Sequence, residues 1–131
     1  MASVVLDTHA WLWLASDPDR LSETAAEAIA ATETIGVPTV CCWEIAMLVR
    51  KERIALDREI ERWIRAALGR EGVLAMPLTP EVAVSAGMLD EAEFPGDPAD
   101  RMIYATARVA GAPLVTRDAA LRRYDSRGTL W

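Results

Sequence analysis

Short apolar runs alternate with amphipathic stretches along the whole chain. Four runs are apolar throughout and are bounded by turn residues, at positions 3–6, 35–37, 73–76 and 113–115. Such runs are typical of strands in a parallel sheet whose two faces are both covered. The stretches between them predict helices over residues 8–14, 22–32, 40–51, 58–68, 80–89 and 97–111. This alternation predicts an α/β fold, a three-layer α/β/α sandwich with a short, mainly parallel, twisted sheet.

Capping residues mark the ends of several of these helices. Asp97 is typical of a helix start, because its carboxylate accepts bonds from the first free backbone N–H groups, and Gly111 suits the left-handed conformation that ends a helix. Thr39 and Asp57 are predicted to cap the helices that follow them. Beyond the fourth apolar run we expect a short helix and then an edge strand at residues 129–131.

The length and composition indicate one compact domain spanning residues 1–131. The chain is 52% hydrophobic and 26% charged, which is typical of a globular protein. No apolar run approaches the roughly 20 residues of a membrane span, and no basic signal-like region precedes the first strand, so we expect a cytoplasmic protein without a membrane partner. The two cysteines, Cys41 and Cys42, are adjacent, which excludes a disulfide framework.

The formal net charge of −6 argues against a protein that holds nucleic acid by bulk attraction. Arginine supplies nearly all of the positive charge, and Arg58, Arg62 and Arg65 share one helical face. Two interpretations of that face stay open. It is either a solvated surface paired with Glu59 and Glu61, or a surface that contacts phosphate groups, for which arginine is well suited.

Four carboxylates stand out because the predicted elements bring them toward one edge of the sheet. Asp7 follows the first strand and Asp118 nearly follows the fourth, so both are expected where the strands' carboxyl ends meet. Glu44 lies one helical turn beyond the second strand, and Asp100 lies in the first turn of its own helix. A purely structural interpretation stays open for Asp7, Asp100 and Asp118, since acids commonly cap or begin helices.

Glu44 is harder to explain structurally, because it shares an otherwise apolar helical stripe with Cys41 and Leu48. An unpaired buried carboxylate is destabilising by several kcal/mol. Neighbouring acids add repulsion of roughly 4 kcal/mol for two charges 4 Å apart at an effective dielectric near 20. A divalent cation offsets both effects, and oxygen ligands favour Mg²⁺ or Mn²⁺. The only histidine, His9, excludes a multi-histidine zinc site.

Four segments carry a resemblance to a known family: VVLDTHA, WEIA, DPADRMIYATA and LVTRD, in this order along the chain. Together they resemble the successive motifs of PIN-domain nucleases, and most closely those of the VapC-type toxins of type II toxin–antitoxin systems. The resemblance implies a single PIN domain that acts as a magnesium- or manganese-dependent endoribonuclease hydrolysing RNA phosphodiester bonds. It also implies a homodimer that is inhibited by a cognate antitoxin, a small VapB-like protein.

The resemblance assigns roles to particular residues. The catalytic and metal-binding acids fall on Asp7, Glu44, Asp100 and Asp118. Auxiliary roles fall on Asp97, through a metal-bound water, and on the hydroxyl residues Thr8 and Thr116, which flank the acids. Arg101, directly after the third acid, is the arginine predicted to contact an RNA phosphate.

Two surfaces beside the expected site are candidates for a protein partner. The helical regions 8–14 and 40–65 flank it, and Trp13, Met47 and Trp63 look exposed on them. We expect an antitoxin segment to lie in the groove between these regions, with an arginine or lysine reaching the acids. The same side chains suit a homodimer interface equally well, and the sequence leaves both interpretations open.

Two other functions remain open. The first is a non-catalytic PIN-like binding partner, whose signature would be the loss of an acid, and all four are present. The second is another Mg²⁺-dependent phosphotransfer enzyme on a similar sheet. The segment D-T-H at residues 7–9 does not match the D-x-D of phosphatases that use an aspartate nucleophile.

Overall fold

A parallel sheet forms the centre of the computed structural model, which describes residues 2–131. Its strands are β1 (Val4–Leu6), β2 (Ile35–Pro38), β3 (Val73–Met76), β4 (Leu114–Val115) and β5 (Thr129–Leu130). Their order across the sheet is β3-β2-β1-β4-β5, and every neighbouring pair is parallel. The predicted α/β fold with a parallel sheet is confirmed, and β5 is the predicted edge strand.

Within residues 2–131, seven α-helices surround the sheet. They are α1 (Thr8–Ser16), α2 (Glu23–Ala30), α3 (Val40–Arg50), α4 (Ile60–Leu68), α5 (Pro80–Gly87), α6 (Pro98–Ala110) and α7 (Ala119–Tyr124). Every residue of β1, β2 and β4 is buried. Because successive side chains of a strand point to opposite faces, this burial means that both faces are covered. Within residues 2–131, no helix combines the length and apolarity needed to cross a membrane.

The segments that carry the candidate site are held by well-defined helix ends. α1 begins directly after β1, with Asp7 as its N-cap. α6 begins with a capping box between Asp97 and Asp100, and it ends at Gly111, whose φ of 67° is the left-handed conformation predicted for a helix end. These ends place three acids at helix N-termini, where backbone N–H groups stabilise negative charge.

Two predicted caps are wrong. Thr39 has helical backbone angles and its side chain makes no capping hydrogen bond. Asp57 does not cap α4, which begins two residues later than predicted with Glu59 as its cap. Asp57 instead forms a salt bridge of 3.0 Å with Arg58, so Arg58 does not pair with Glu59 or Glu61 as one interpretation of the arginine face required.

The tryptophans also correct an expectation. Trp13 and Trp63, which were predicted to be exposed, are only 6% and 4% exposed. Trp63 packs edge-on against Trp11, with ring centroids 5.2 Å apart, and donates a hydrogen bond of 3.3 Å to Ser16. Met47 is half-buried. The predicted groove therefore lacks two of its three apolar side chains, because both indoles join the core.

Candidate functional site

An open cleft of about 760 Å³ lies at the carboxyl ends of β1 and β4. Its wall contains all four predicted acids, Asp7, Glu44, Asp100 and Asp118. All three predicted auxiliary residues, Thr8, Thr116 and Asp97, line the same cleft. Residues directly after β1, residues in and after β4, and residues in the N-terminal parts of α1, α3, α6 and α7 thus come together where parallel α/β sheets commonly bind ligands.

Asp7 lies at the junction of β1 and α1 and is half-buried. Its Oδ1 accepts a hydrogen bond of 2.8 Å from the Ala10 N–H. Burial raises the pKa of Asp7, the Thr116 hydroxyl and the Ala10 N–H oppose that rise, and the charge of Asp118 adds to it. The carboxylate is therefore held in place by bonds that also begin α1, in surroundings that disfavour its charge.

Glu44 lies in the second turn of α3 and is half-buried, as its apolar stripe predicted. The hydroxyl of Thr8 donates a short hydrogen bond to its Oε1. Burial raises the pKa of Glu44, and the charges of Asp97 and Asp7 raise it further, against the opposing effect of the Thr8 hydroxyl. Thr8 therefore joins α1 to α3 and orients the second acid toward the first.

Asp100 takes part in the capping box of α6. Its Oδ2 accepts a hydrogen bond of 3.2 Å from the Asp97 N–H, and the Asp97 Oδ1 accepts one of 2.9 Å from the Asp100 N–H. Burial, together with the charges of Asp97 and Glu44, raises the pKa of Asp100 to about 7.

Asp118 differs from the other three acids because its side chain is exposed. It is the N-cap of α7, and its Oδ1 accepts bonds of 2.9 Å from the Ala120 N–H and 3.2 Å from the Leu121 N–H. Its own N–H donates to the Thr116 hydroxyl at 3.1 Å. Thr116, which is fully buried, therefore lies between the first and fourth acids and interacts with both residues.

The acids share the cleft without cationic partners. Within residues 2–131, none of Asp7, Glu44, Asp100 and Asp118 forms a salt bridge. Over the same residues, no three His, Cys, Asp or Glu side chains are close enough together to form a ready-made metal site. Their carboxylate oxygens are nonetheless the donors that Mg²⁺ and Mn²⁺ prefer, and a cation would offset their mutual repulsion. The chemistry of this donor set therefore suits a hard divalent ion, whereas the spacing of the side chains does not form a ready-made site.

Arg101 makes structural contacts next to the third acid. Its guanidinium donates hydrogen bonds to the backbone carbonyls of Leu89, at 2.6 Å, and Gly87, at 3.4 Å, and it lies 5.9 Å from the ring centroid of Phe94. It does not contribute to the wall of the cleft. This arginine therefore ties the end of α5 and the following loop to α6, and its contact with an RNA phosphate stays a prediction.

Three other arginines line the cleft, and sequence reasoning gave none of them a role: Arg20, Arg53 and Arg117. All three are exposed. Arg117 lies within the LVTRD segment beside Asp118, so its position was a usable signal. Arg20 and Arg53 lie in connections far from any motif, and only the folded chain brings them to the acids.

This fold and this acidic cleft define a family. Residues 4–127 match the model of the PIN domain, and the chain therefore belongs to the PIN domain family. Ribonuclease VapC22 of Mycobacterium tuberculosis, strain ATCC 25618 / H37Rv, is 40% identical over 133 residues, a match that covers all of both chains. This similarity places the chain among the VapC-type members of the family, as its motifs predicted.

Solved structures share the fold at lower identity. A toxin–antitoxin complex from Klebsiella pneumoniae contains a chain with a TM-score of 0.71 and 20% identity, covering 98% of this chain and 97% of that one. VapBC2 from Rickettsia felis, bound to a promoter DNA fragment, gives a TM-score of 0.70 at 12% identity, covering 97% and 96%. The arrangement of sheet and helices is therefore shared by chains of very different sequence.

Asp100 provides a test of the electrostatics of the cleft. Since its pKa is higher in the folded chain, at about 7, than the ordinary 3.8, the folded state retains a proton that the unfolded chain releases. The free energy of unfolding should thus fall as the pH rises from 3.8 to about 7. Above that range the charged carboxylate lowers the free energy of unfolding by its full amount. With EDTA at pH 8, we expect Asp100→Asn to raise the free energy of unfolding by on the order of 1–2 kcal/mol, allowing for solvent screening.

Urea denaturation at pH 5 and pH 8 measures this effect. The advantage of Asp100→Asn should shrink at the lower pH, where the wild-type carboxyl is largely protonated. Glu27→Gln, which neutralises an exposed acid of α2 away from the cleft, is the matched control and should change little between the two pH values. An equal effect of Asp100→Asn at both values would contradict the electrostatic account.

Proposed function

We propose that this protein is a metal-dependent endoribonuclease that hydrolyses RNA phosphodiester bonds and acts as the toxin of a toxin–antitoxin pair. One observation carries the proposal: four carboxylates, three of them half-buried and all without a salt bridge in residues 2–131, line one open cleft at the strand ends. A fold needs no such cluster for its stability, since each uncompensated acid lowers it. The 40% identity to Ribonuclease VapC22 supports RNA as the substrate class.

The proposed cofactor is Mg²⁺ or Mn²⁺. Asp7, Glu44 and Asp100 would hold it, with Asp118 as a further ligand or as a hydrogen-bonded support. When bound, such an ion supplies Lewis acidity, which lowers the pKa of a coordinated water and neutralises charge on the phosphate. The preference for these ions over zinc follows from an all-oxygen donor set in which no cysteine takes part and His9 is the only histidine.

The residues around the acids have positioning roles in this proposal. Thr8 donates to Glu44 and holds its Oε1 toward the cleft, while Asp97 binds the Asp100 N–H and leaves the Asp100 Oδ1 outside the capping box. Thr116 holds the backbone of Asp118 and interacts with Asp7. These contacts restrict the side-chain conformation of each acid before any ligand binds, which lowers the entropy lost on binding.

The products follow from the chemistry of the site. A water molecule attacking the phosphorus atom in line with the leaving oxygen breaks the P–O3′ bond, giving a 5′-phosphate and a 3′-hydroxyl. Attack by the ribose 2′-hydroxyl would instead leave a 2′,3′-cyclic phosphate, and it makes no use of the water that a bound Mg²⁺ or Mn²⁺ would activate. The resemblance to the family favours the same products.

Two variants test the ribonuclease activity. In the presence of Mn²⁺ we expect the purified wild-type protein, stripped of any inhibitor, to cleave cellular RNA, and Asp7→Asn to lower the rate at least about 100-fold. Asparagine is as good an N-cap as aspartate, so α1 should remain folded. Glu27→Gln removes the same charge outside the cleft and should retain the wild-type rate.

Sequencing of the RNA 5′-ends made during brief expression would identify the cleaved sites against the Asp7→Asn background. If Asp7→Asn cleaves RNA at the wild-type rate and has an unchanged melting temperature, the role assigned to this residue is wrong. Absence of cleavage by the wild-type protein on any cellular RNA would favour the non-catalytic binding partner.

The proposed inhibitor is a small, cognate VapB-like antitoxin. Structures similar in fold include a toxin–antitoxin complex and a VapBC pair, and an active ribonuclease requires a partner that blocks it. An arginine of the partner suits the acidic cleft, since a guanidinium binds carboxylates bidentately. The net charge of −6 favours a basic partner as well, because complementary charge speeds association.

Binding of the neighbouring gene's product tests this proposal. We expect it to co-purify with the protein and to inhibit cleavage, and we expect Asp100→Asn to weaken the complex at least about tenfold, because a charge-assisted bond is lost. Glu27→Gln should bind as the wild type does. If the partner binds Asp100→Asn with unchanged affinity, it does not reach the acids.

A homodimer is the remaining part of the proposal. Val84 lies on α5 and Met88 directly follows its last residue, one helical turn further along the chain, and the two side chains are 65% and 79% exposed. Large apolar side chains this exposed are typical of contact surfaces, and a second copy of this chain would cover them across a two-fold axis. This surface replaces the groove of Trp13 and Trp63, which are buried.

Light scattering after size exclusion measures the oligomeric state. Val84→Glu should raise the dissociation constant of the dimer at least about tenfold, because a charge would be buried in an apolar contact. Ala83→Glu adds the same charge to the adjacent exposed position of α5 and should leave the dimer intact. Equal dissociation in both variants, or a monomeric wild type, would contradict the assignment of this surface.

A further inference from the structure

The guanidinium groups of two arginines lie close to the ring of Trp13 at the rim of the acidic cleft. The guanidinium carbon of Arg20 is 4.6 Å from the centroid of the Trp13 ring, and that of Arg117 is 5.6 Å from it. Both arginines are exposed and both line the cleft, whereas the indole is buried. Two cationic groups from distant parts of the chain are therefore held by one aromatic ring beside the four acids.

Neither guanidinium is neutralised by the protein. Among residues 2–131, the side chains of Arg20 and Arg117 form no salt bridge and donate no hydrogen bond. This is unusual in a cleft that contains four carboxylates, where short ion pairs would be expected. The ring holds each cation by a cation–π contact, which leaves all of their N–H donors free.

The two guanidinium groups also lie near each other. Since both are close to one ring centroid, their carbon atoms are no more than about 10 Å apart. Like charges at this distance repel one another, and an anion between or across them removes that repulsion. Arginine forks suit phosphate oxygens in particular, because they donate two parallel hydrogen bonds.

We propose that Arg20 and Arg117, positioned by Trp13, form a clamp that binds RNA backbone phosphates next to the bond that is cleaved. The inference rests on the proposed ribonuclease function and adds the residues that hold the substrate. The buried indole does not offer a free face on which a base could stack. The clamp therefore recognises the charge of the phosphates and does not distinguish one base from another. It gives an acidic protein a local positive surface where an anionic substrate enters.

The proposal predicts a change in binding with a defined salt dependence. In an Asp7→Asn background with Mn²⁺, a short fluorescein-labelled oligoribonucleotide reports affinity by fluorescence polarisation. Arg20→Ala and Arg117→Ala should each raise Kd about three- to tenfold, and each should reduce the slope of log Kobs against log salt by about 0.7, as expected for one lost phosphate contact on a single strand. The losses should be the same for oligonucleotides of different sequence.

Arg127→Ala is the matched control. Arg127 is an exposed arginine outside the cleft, in the turn before β5 and therefore at the opposite edge of the parallel sheet, and its loss changes the net charge equally. It should leave both Kd and the salt slope close to those of the Asp7→Asn protein. If Arg127→Ala has the same effect as the two rim variants, or if the Arg20→Ala, Arg117→Ala double variant binds with unchanged Kd and slope, the clamp is wrong.

Trp13 is tested as a positioning residue. Trp13→Leu removes the π face while both arginines remain, and it should weaken RNA binding about two- to fivefold; Trp13→Phe, which keeps a ring, should restore most of the affinity. A purely structural role would lower the melting temperature of both variants without changing the salt slope, and that result would remove Trp13 from the clamp.

Cleavage measurements separate failure of the clamp from failure of the ribonuclease proposal. In the otherwise wild-type protein, the arginine variants should raise KM while kcat changes less than about twofold, since the lost contact is made equally before and during the reaction. A wild-type protein that cleaves RNA, with arginine variants of unchanged kcat/KM, would overturn the clamp alone. A wild-type protein that neither binds nor cleaves RNA would overturn both.

Discussion

The burial of several carboxylates beside one another at the carboxyl end of the sheet is the constraint on which the rest of this structure depends. Asp7, Glu44 and Asp100 all have raised pKa values, and burial is the largest cause for each. Helix N-termini limit the penalty, because Asp7 and Asp118 cap α1 and α7 and Asp100 belongs to the capping box of α6. The hydrogen bonds that begin these helices therefore also orient the acids, so a change in a helix start also changes the orientation of its acid.

This double use explains why ordinary capping signals predicted so much of the fold. The start of α6 at Asp97-Pro98 and its end at Gly111 are local features, determined by backbone geometry within a few residues. Three apolar runs predicted β1, β2 and β4 because full burial on both faces leaves no room for alternation, whereas the run that forms β3 is only half-buried or exposed. The start of α4 was missed because Asp57 is the better cap by residue type, but its carboxylate forms an ion pair with Arg58 and Glu59 caps the helix instead.

The acids of the candidate site were predictable for a physical reason, whereas among its arginines only Arg117 had a usable signal in the sequence. Each acid lies within about two helical turns of a strand end, so the order of elements places it at the carboxyl edge of the sheet. Arg20 is the last residue of the short 3₁₀ turn at Pro18–Arg20, and its position at the cleft depends on contact with the Trp13 ring. The burial of Trp13 was likewise missed, since it results from a neighbour 118 positions later, Trp131, whose ring centroid lies 5.7 Å away.

The charge distribution resolves the conflict between an acidic protein and an anionic substrate. Net charge governs attraction at distances beyond a Debye length of about 8 Å at physiological salt, whereas contact within the cleft depends on the nearest groups. Here those groups differ with depth: half-buried acids lie at the strand ends, and exposed arginines lie on the rim. An anion that meets the rim first is held by cations before it reaches the carboxylates. The acids alone would repel it, so the two sets of side chains are complementary parts of one cleft.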